Sequence, residues 1–472
     1  MFGDAAHPAD VNHVRRFFCL ILMFSVNDLF LTGSFTAVEG VVVEVVNKVA
    51  FIEGFYRPGT VLVGERGSKM LVVSRRKAFP PSYVNVLRMA MDEPLEPVAP
   101  VATVRALVVS DEVPEPGERV REVGWPSGGG ILTPDGPANL LGAEVPHLSV
   151  IASTGMGKTT LVKMLVRQAA ESGYRVVVFD MHNEYCGAVE AVGGVCTPPV
   201  LPLCEMADHE LMIATGLARI STSPIRMMKY IRLMAEGACR VAEGDGDLAK
   251  ALEVCIEAFA MLDKISLDQK RLDSGDSPFA ACAKAVRDAV GSVAFNTIRN
   301  VVREDEDRVG AAGMYLSWAA ASARLVKRFV LPKAVAFNML EFKSLFATSD
   351  AVLATTAYTM RKVVEVGEKT LLVVEEAPKL MADSVASKNL ELFLSQARKF
   401  GATVVLVSQT PHDLIQNTRL VVGRINNSTW AKKLAELAPQ MPGEVARLLP
   451  QLRRGEFIYL DGRDVVPLRV VP

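Results

Sequence analysis

His147–Thr160, with the sequence HLSVIASTGMGKTT, is the stretch that decides the fold of this chain. A short apolar run, LSVIA, leads into Gly155, Gly157, Lys158 and Thr159. Backbone N–H groups of such a glycine-containing loop can wrap phosphate groups, and the helix that follows directs the positive end of its dipole at them. The stretch therefore predicts a strand, a phosphate-binding loop and a helix that together hold a nucleoside triphosphate.

The loop follows the pattern G-x-x-x-x-G-K-[ST], except that Ala152 occupies the first position. In this pattern Lys158 reaches the terminal phosphates as a point charge, and the hydroxyl of Thr159 takes a position on Mg²⁺. The alternative is a glycine-rich turn before an ordinary helix, but the strand-like run ahead and the helical apolar spacing behind favour the nucleotide site. The predicted contacts are Ser153, Thr154, Gly155, Met156, Gly157, Lys158, Thr159 and Thr160.

Composition sets broad limits. With 472 residues, 50% of them apolar, the chain can fill two or three domains. A net charge of −1 gives no global basic field for nucleic acid, so such a contact requires a local patch or a ring of subunits. Cys186, Cys196 and Cys204 lack histidines at metal-ligand spacing, which favours buried reduced thiols in a cytoplasmic protein.

Phe17–Phe24 (FFCLILMF) is the longest apolar run near the N-terminus. It is much shorter than the roughly 20 residues that cross a bilayer, so we expect no membrane insertion. The polar residues Ser25–Asp28 follow without a cleavage site, which argues against secretion. A buried first segment, or a true start at Met23, explains the run, and residues 1–33 remain unassigned.

The rest of the chain divides into three parts. Short β-type runs broken by turns predict a small β-barrel, which with its linker covers 34–125, and Pro114–Gly136 is interpreted as the connecting segment. The nucleotide domain is expected at 126–205 and 330–472. The stretch between them, 206–329, has helical spacing and is predicted to be an inserted helical domain.

Apolar runs recur in the nucleotide domain with helix-compatible sequence between them. Such runs are typical of parallel strands buried on both faces, so we expect a doubly wound α/β sheet with its site at the carboxyl ends of the strands. The predicted strands are Arg175–Asp180, Ala334–Met339, Thr370–Glu376 and Ala402–Gln409.

Glu375 and Glu376 end one of these strands. One carboxylate at such a tip can hold Mg²⁺ through water, and its neighbour can orient or activate the water that attacks the terminal phosphate. We assign the metal role to Glu375, where Asp is the usual residue, and the water role to Glu376. Paired acids after an apolar run are common, so the assignment depends on the loop at Lys158.

Five segments in this order resemble the HerA-FtsK superfamily of hexameric DNA motors, and the HerA branch fits best. The resemblance implies a RecA-like P-loop motor domain with a mostly parallel sheet, a β-barrel before it and a helical insertion inside it. The segments are ASTGMGKTT, DMHNEY (Asp180–Tyr185), VVEEAPKL (Val373–Leu380), ARKFG (Ala397–Gly401) and LVSQTPHDL (Leu406–Leu414).

The same resemblance implies two further site residues. Gln409 would sense the terminal phosphate, although a buried glutamine bonded to a loop is the simpler interpretation. Arg398 would contact ATP across a subunit boundary, although it could be an ordinary surface arginine. The chain departs from the family pattern at four places, which marks a divergent member: Ala152, Met181, Asn183 and Glu375.

Together these features predict a cytoplasmic ATPase that uses ATP and Mg²⁺, forms a homohexamer and moves double-stranded DNA, with a nuclease as a candidate partner. Two alternatives stay open: a DNA pump of the conjugation or packaging type, and a nucleotide-binding assembly scaffold with weak hydrolysis. Arg226, Lys229 and Arg232 share one possible helix face as basic DNA-contact candidates, but a solvated face explains them equally well. His147 is interpreted as structural.

Overall fold

The computed structural model describes residues 40–78, 101–142, 146–215, 323–338, 347–381, 384–462 and 464–472, with single positions between 228 and 246. The chain divides into two compact units between Val123 and Gly124. The predictions for Phe17–Phe24, Arg226 and Lys229 concern positions outside the described residues.

The first unit is a closed six-stranded barrel with the strand order β1-β2-β5-β4-β3-β6. Alternate residues such as Ile52, Leu62 and Val104 fill its interior, as expected for short strands with one face inward. Its β-hairpin turn at Asn47 and Lys48 has two left-handed residues, which matches the twist of the paired strands. The strands are β1 (Gly40–Val46), β2 (Val49–Glu53), β3 (Val61–Gly64), β4 (Lys69–Ala78), β5 (Val101–Val108) and β6 (Arg119–Glu122).

The interpretation of Pro114–Gly136 as a connecting segment is wrong in two places. Arg119–Glu122 pairs with both β1 and β3 and closes the barrel, with Val120 buried inside it. Gly130–Thr133 forms a strand of the large sheet in the second unit. Both strands have only four residues, and short strands between glycines and prolines lack the periodicity by which strands are recognised.

The second unit is built on an 11-stranded mixed sheet. Its order is β11-β14-β10-β15-β16-β9-β17-β18-β19-β7-β8, parallel from β11 to β17 and antiparallel beyond. The strands are β7 (Gly130–Thr133), β8 (Gly136–Pro137), β9 (Leu148–Ile151), β10 (Arg175–Asp180), β11 (Val195–Thr197), β14 (Ala334–Asn338), β15 (Thr370–Val374), β16 (Ala402–Ser408), β17 (Arg419–Val422), β18 (Glu456–Asp461) and β19 (Asp464–Val471); β12 and β13 form a separate sheet.

Apolar cores cover both faces of this sheet, as predicted from the continuous apolar runs. Along β10, Val177 and Phe179 belong to one core, whereas Val176 and Val178 belong to the other. The helix after the phosphate loop packs on the second face. The described helices are α1 (Lys158–Glu171), α2 (Cys186–Glu190), α3 (Asp208–Ala214), α4 (Ala347–Val366), α5 (Ala377–Met381), α6 (Ser384–Ala397), α7 (Ser428–Leu437) and α8 (Gly443–Leu448).

The predicted helical insertion at 206–329 lies mostly outside the described residues. Its described ends contain α3 and also a strand, β13 (Arg324–Val326), which pairs in parallel with β12 (Val200–Pro202). The prediction of helix throughout this range is therefore wrong at its carboxyl end. Arg232 forms an ion pair with Asp208 of α3.

Four cysteines form disulfides, Cys186 with Cys196 and Cys204 with Cys239, which corrects the prediction of reduced thiols. Folding brings the Cα atoms of the two pairs to 5.3 and 5.7 Å, a proximity that sequence spacing does not reveal. Within the described ranges we find no helix long and apolar enough to cross a bilayer.

Candidate nucleotide site

The phosphate loop lies between the end of β9 and the first residue of α1, Lys158. Gly155 and Gly157 have φ values of 77° and 103°, a left-handed region that glycine enters at low cost. Gly157 also packs closely: a Cβ there would lie 3.6 Å from the backbone nitrogen of Gly455. The glycines therefore serve the sharp curl of the loop and its contact with the turn before β18.

Ala152 stands where the loop pattern has glycine, and the structure shows how it fits. Ala152 is fully buried, and a Cβ on Gly423 would lie only 2.8 Å from the Ala152 Cβ. Because Gly423 has no side chain, the extra methyl group of Ala152 has space. This departure is thus matched by a glycine at the end of the neighbouring strand β17.

Lys158 is folded onto its own loop. Its Nζ donates to the carbonyl oxygens of Ala152 at 2.7 Å and Ser153 at 3.3 Å, which leaves one of its three N–H donors for a ligand. Burial lowers the pKa of Lys158, while the carboxylates of Glu376, Glu184 and Glu375 raise it. The ammonium group is thus held at the loop with acidic groups around it.

Glu376 and Gln409 come together across two strand ends. Gln409 Nε2 donates to Glu376 Oε1 at 2.8 Å, and Thr154 Oγ1 donates to Gln409 Oε1 at 2.6 Å. Glu376 has a φ of 51°, a left-handed conformation that is unfavourable for a residue with a side chain. A chain of hydrogen bonds therefore joins the acidic tip after β15 to the phosphate loop through β16.

The loop after β10 contributes a carboxylate for which we predicted no role in binding the metal. Thr159 Oγ1 donates to Glu184 Oε2 at 2.5 Å, so this carboxylate lies at the hydroxyl expected to face Mg²⁺. Asp180 shapes the loop, since its carboxylate accepts the backbone N–H groups of Glu184 at 2.9 Å and Tyr185 at 2.8 Å. Asn183 has a φ of 57°, and asparagine is among the residues that tolerate this left-handed region best.

Glu375 is buried, with 7% of its surface exposed. Its Oε2 accepts the backbone N–H of Met181 at 2.8 Å and lies 3.7 Å from Nδ1 of His182. Burial, with a contribution from the charge of Asp180, raises the pKa of Glu375 to about 8. Glu375 is therefore behind the site surface, and its charge is costly until a cation balances it.

The donor set fits Mg²⁺. This cation prefers oxygen ligands, usually takes one or two carboxylates and fills the remaining positions with water and phosphate oxygens. Thr159, Glu184 and Glu375 supply such oxygens, whereas no group of three or more His, Cys, Asp or Glu side chains arranged to hold a metal occurs in the described part of the chain. The site thus suits a metal that arrives with a nucleotide.

Arg398 does not join the other predicted site residues. It lies in a 3₁₀ turn (Arg398–Phe400) before β16, at the amino edge of the sheet, and its side chain is exposed. Since Ser408 pairs with Ile151 at the opposite edge, the whole length of β16 separates Arg398 from the phosphate loop of its own protomer. Within one chain, Arg398 therefore lies far from the nucleotide site.

His147 has a structural role, as expected. Its Nε2 lies 2.9 Å from the carbonyl oxygen of Leu394, and the N–H of Val404 donates to its Nδ1 at 3.2 Å. Burial lowers the pKa of His147, so the neutral ring that fits these partners is favoured.

The sequence is similar to known helicases. The family model described as "Helicase HerA, central domain" matches residues 143–299. The chain is 21% identical over 344 residues to the DNA double-strand break repair helicase HerA of Sulfolobus acidocaldarius, a match that covers 68% of this chain and 63% of the relative. Over this part of its length, the chain resembles the HerA helicases.

Other relatives have a similar level of sequence identity to this chain. A probable helicase of Methanocaldococcus jannaschii is 23% identical over 350 residues, which covers 68% of this chain and 61% of that protein. The chain thus matches less than two thirds of the length of these relatives. Among solved structures, VirB4 of Thermoanaerobacter pseudethanolicus has a TM-score of 0.48 at 15% identity and covers 74% of this chain and 98% of its own.

Proposed function

We propose that this chain is an ATPase that assembles into a homohexamer and moves double-stranded DNA. The observation that carries the catalytic part is the chain of hydrogen bonds from Glu376 through Gln409 to Thr154, which puts a carboxylate and an amide beside the phosphate loop. The similarity to HerA helicases supports the choice of DNA as the substrate that is moved.

In the proposed reaction, the loop N–H groups and Lys158 bind the phosphates of ATP. Mg²⁺, when bound, neutralises charge on the β- and γ-phosphates. Thr159 and Glu184 would hold Mg²⁺ directly or through water, with Glu375 behind them. Glu376 orients the attacking water and accepts its proton as the water oxygen bonds to the γ-phosphorus, and the bond to ADP breaks to release phosphate.

Gln409 couples this chemistry to the loop. Its amide contacts Glu376 on one side and Thr154 on the other, so a γ-phosphate at the loop would change both contacts at once. Arg398, at the far edge of the sheet, would reach the site of a neighbouring subunit and stabilise charge that develops on the transferred phosphoryl group. A ring supplies such a neighbour to every site.

The choice of DNA rests on the HerA relatives, two of which are named DNA double-strand break repair helicases. We propose a hexamer that works with a nuclease on double-stranded ends. Of the three basic candidates on one helix face, Arg232 lies among the described residues, and it is paired with Asp208. DNA contact would come from a ring channel.

Two measurements on the same sample test the proposal. Native mass spectrometry with ATP, Mg²⁺ and a blunt duplex is expected to show six chains, and phosphate release is expected to rise when the duplex is added. Nucleotide binding without turnover would instead favour an assembly scaffold. Lys158→Ala is the control that should abolish binding, while Lys432→Ala, on exposed α7, should not.

A further inference from the structure

The two flanks of the phosphate loop differ in charge. On the side of β15 and β16 lie the carboxylates of Glu375, Glu376 and Glu184, which share the electrostatic environment of Lys158. On the side of β17 and β18 lie Arg424 and Arg454, and neither guanidinium pairs with a carboxylate among the residues that the structure describes. The proposed hydrolysis uses only the acidic flank.

The loop after β17 is bonded directly to the phosphate loop. The N–H of Ser153 donates to the carbonyl oxygen of Arg424 at 2.8 Å, and the N–H of Asn426 donates to Ser153 Oγ at 3.2 Å. Arg424 Nε donates to Asn426 Oδ1 at 2.7 Å, which leaves both terminal guanidinium nitrogens for another acceptor. Trp430 follows in the first turn of α7 with a half-buried indole.

The turn before β18 reaches the same flank. The N–H of Gly455 donates to the carbonyl oxygen of Met156 at 3.0 Å, and a Cβ on Gly157 would lie 3.6 Å from the Gly455 nitrogen. Arg454 precedes this contact and has an exposed side chain. Its guanidinium is therefore carried by a turn that touches the phosphate loop.

Strand order decides which part of a nucleotide this flank meets. β9 lies between β16 and β17, so the loop that follows it has Gln409 on one side and Arg424 on the other. The proposed hydrolysis puts the γ-phosphate beside Glu376 and Gln409. The remainder of the ligand then extends past the loop toward β17 and β18.

We propose that Arg424, Trp430 and Arg454 form the nucleoside half of the site. The two guanidinium groups hydrogen-bond the α-phosphate and the ribose, and the indole of Trp430 stacks on the base. Stacking accepts any base because every base has a π face, so this half holds nucleoside triphosphates without distinguishing ATP from GTP. The inference rests on the proposed nucleotide site and adds the residues that contact its non-reacting part.

Calorimetric titration of the full chain with Mg²⁺ and either ATP or inorganic tripolyphosphate tests the stacking. Trp430→Ala is expected to lower the affinity for ATP about tenfold and to leave the affinity for tripolyphosphate unchanged, because only ATP has a base. Trp430→Phe keeps an aromatic face and should stay within about threefold of the wild type. Trp125→Phe is the matched control and should change neither ligand.

A second measurement does not depend on an alanine variant that folds. The chain has three tryptophans, and Trp125→Phe with Trp318→Phe leaves Trp430 alone. Fluorescent N-methylanthraniloyl-ATP should then accept energy from Trp430. Arg454→Gln should lower the affinities for ADP and ATP by the same factor. The control is Arg447→Gln, at an exposed arginine that pairs with Glu444, and it should leave both affinities unchanged.

The outcomes separate this inference from the proposed function. If the wild type binds neither ATP nor tripolyphosphate, both proposals fail. If ATP binds in a Lys158-dependent way but Trp430→Ala leaves its affinity unchanged, or weakens both ligands alike, the nucleoside assignment alone is overturned. Bound fluorescent nucleotide, detected by anisotropy, without energy transfer from Trp430 also overturns it.

Discussion

Gln409 Nε2 donates a 2.8 Å hydrogen bond to Glu376 Oε1, although the two residues follow different strands. β15 and β16 are adjacent and parallel, with Val374 opposite Leu406, so their carboxyl ends meet. Glu376 has a left-handed φ of 51° at the point where these strand ends lie side by side. The bond also orients the amide of Gln409, whose oxygen is left to accept from Thr154.

Replacing Glu376 by Gln should leave ATP binding within about threefold of the wild type and lower turnover by about 100-fold or more, because the amide cannot accept a proton from water. Binding by calorimetry and phosphate release measure the two effects separately. Glu436→Gln, on the exposed face of α7, is the control and should retain wild-type turnover. Unchanged turnover in Glu376→Gln would remove this residue from the mechanism.

Gln409 and Thr154 should be coupled. Gln409→Ala and Thr154→Val each remove the 2.6 Å hydrogen bond between the two side chains. The free-energy loss in kcat/KM of the double variant should therefore be smaller than the sum of the two single losses. We expect a coupling free energy of about 1 kcal/mol in kcat/KM, from a double-mutant cycle. Fully additive losses would show that the two side chains act independently.

His412 should make stability depend on pH. Both ring nitrogens are buried and lack hydrogen-bond partners among the described residues, and burial lowers the pKa of His412 to about 4 from its ordinary 6.5. Between these values the unfolded chain takes up a proton that the folded chain does not. The free energy of unfolding should therefore fall as pH drops from 6.5 toward 4, by at most about 3 kcal/mol.

Urea unfolding between pH 4 and 7.5 measures this dependence. His412→Phe should reduce the dependence of the free energy of unfolding on pH because the titrating group is gone. His209→Gln, at a side chain that is 61% exposed, serves as the control and should keep the wild-type slope. An identical slope in His412→Phe would contradict the assignment.

Arg361 should be needed for stability. Its Nε and Nη2 donate to the fully buried carboxylate of Glu210 at 2.6 and 3.0 Å, and Arg361→Met would leave that charge unpaired. We expect a loss of about 3–5 kcal/mol by urea unfolding. Glu365→Gln weakens the more exposed ion pairs that Glu365 forms with Arg361 and Lys362 and should cost no more than about 1 kcal/mol. Equal losses in the two variants would argue against a special role for the buried pair.

The disulfides should be visible by mass spectrometry. A thiol reagent added to the unfolded chain without reductant should leave Cys186, Cys196, Cys204 and Cys239 unmodified, since all four are bonded. Reduction before labelling should add the reagent at these positions. Peptides linked as Cys186–Cys196 and Cys204–Cys239 confirm the pairing; labelling of the four without reductant would contradict it.

The local sequence was sufficient for the elements that carry the site. LSVIA, RVVVFD and TLLVVEE are continuous apolar runs, and each is a buried strand in the structure. All three strands begin where predicted. Arg175–Asp180 also ends where predicted, whereas the other two end one or two residues earlier. The short strands Arg119–Glu122 and Arg324–Val326 were missed because a few residues show no period.

Contacts between distant segments could not be predicted from local apolar runs. Glu184 lies at Thr159 because the carboxylate of Asp180 bends the intervening loop by accepting its N–H groups. The one available signal was an acid at the end of a strand followed four residues later by another. Ala152 is accommodated through Gly423, and only the adjacency of β9 and β17 relates the two.

The sequence by itself determined which residues end buried strands and which loop curls around phosphate, because apolar periodicity and glycine act over a few neighbouring positions. The tertiary structure alone decided which strand ends are neighbours, and with that the pairing of Glu376 with Gln409, the two flanks of the phosphate loop and the separation of Arg398 from its own site. Strand order depends on how whole apolar faces pack, and that packing joins residues hundreds of positions apart.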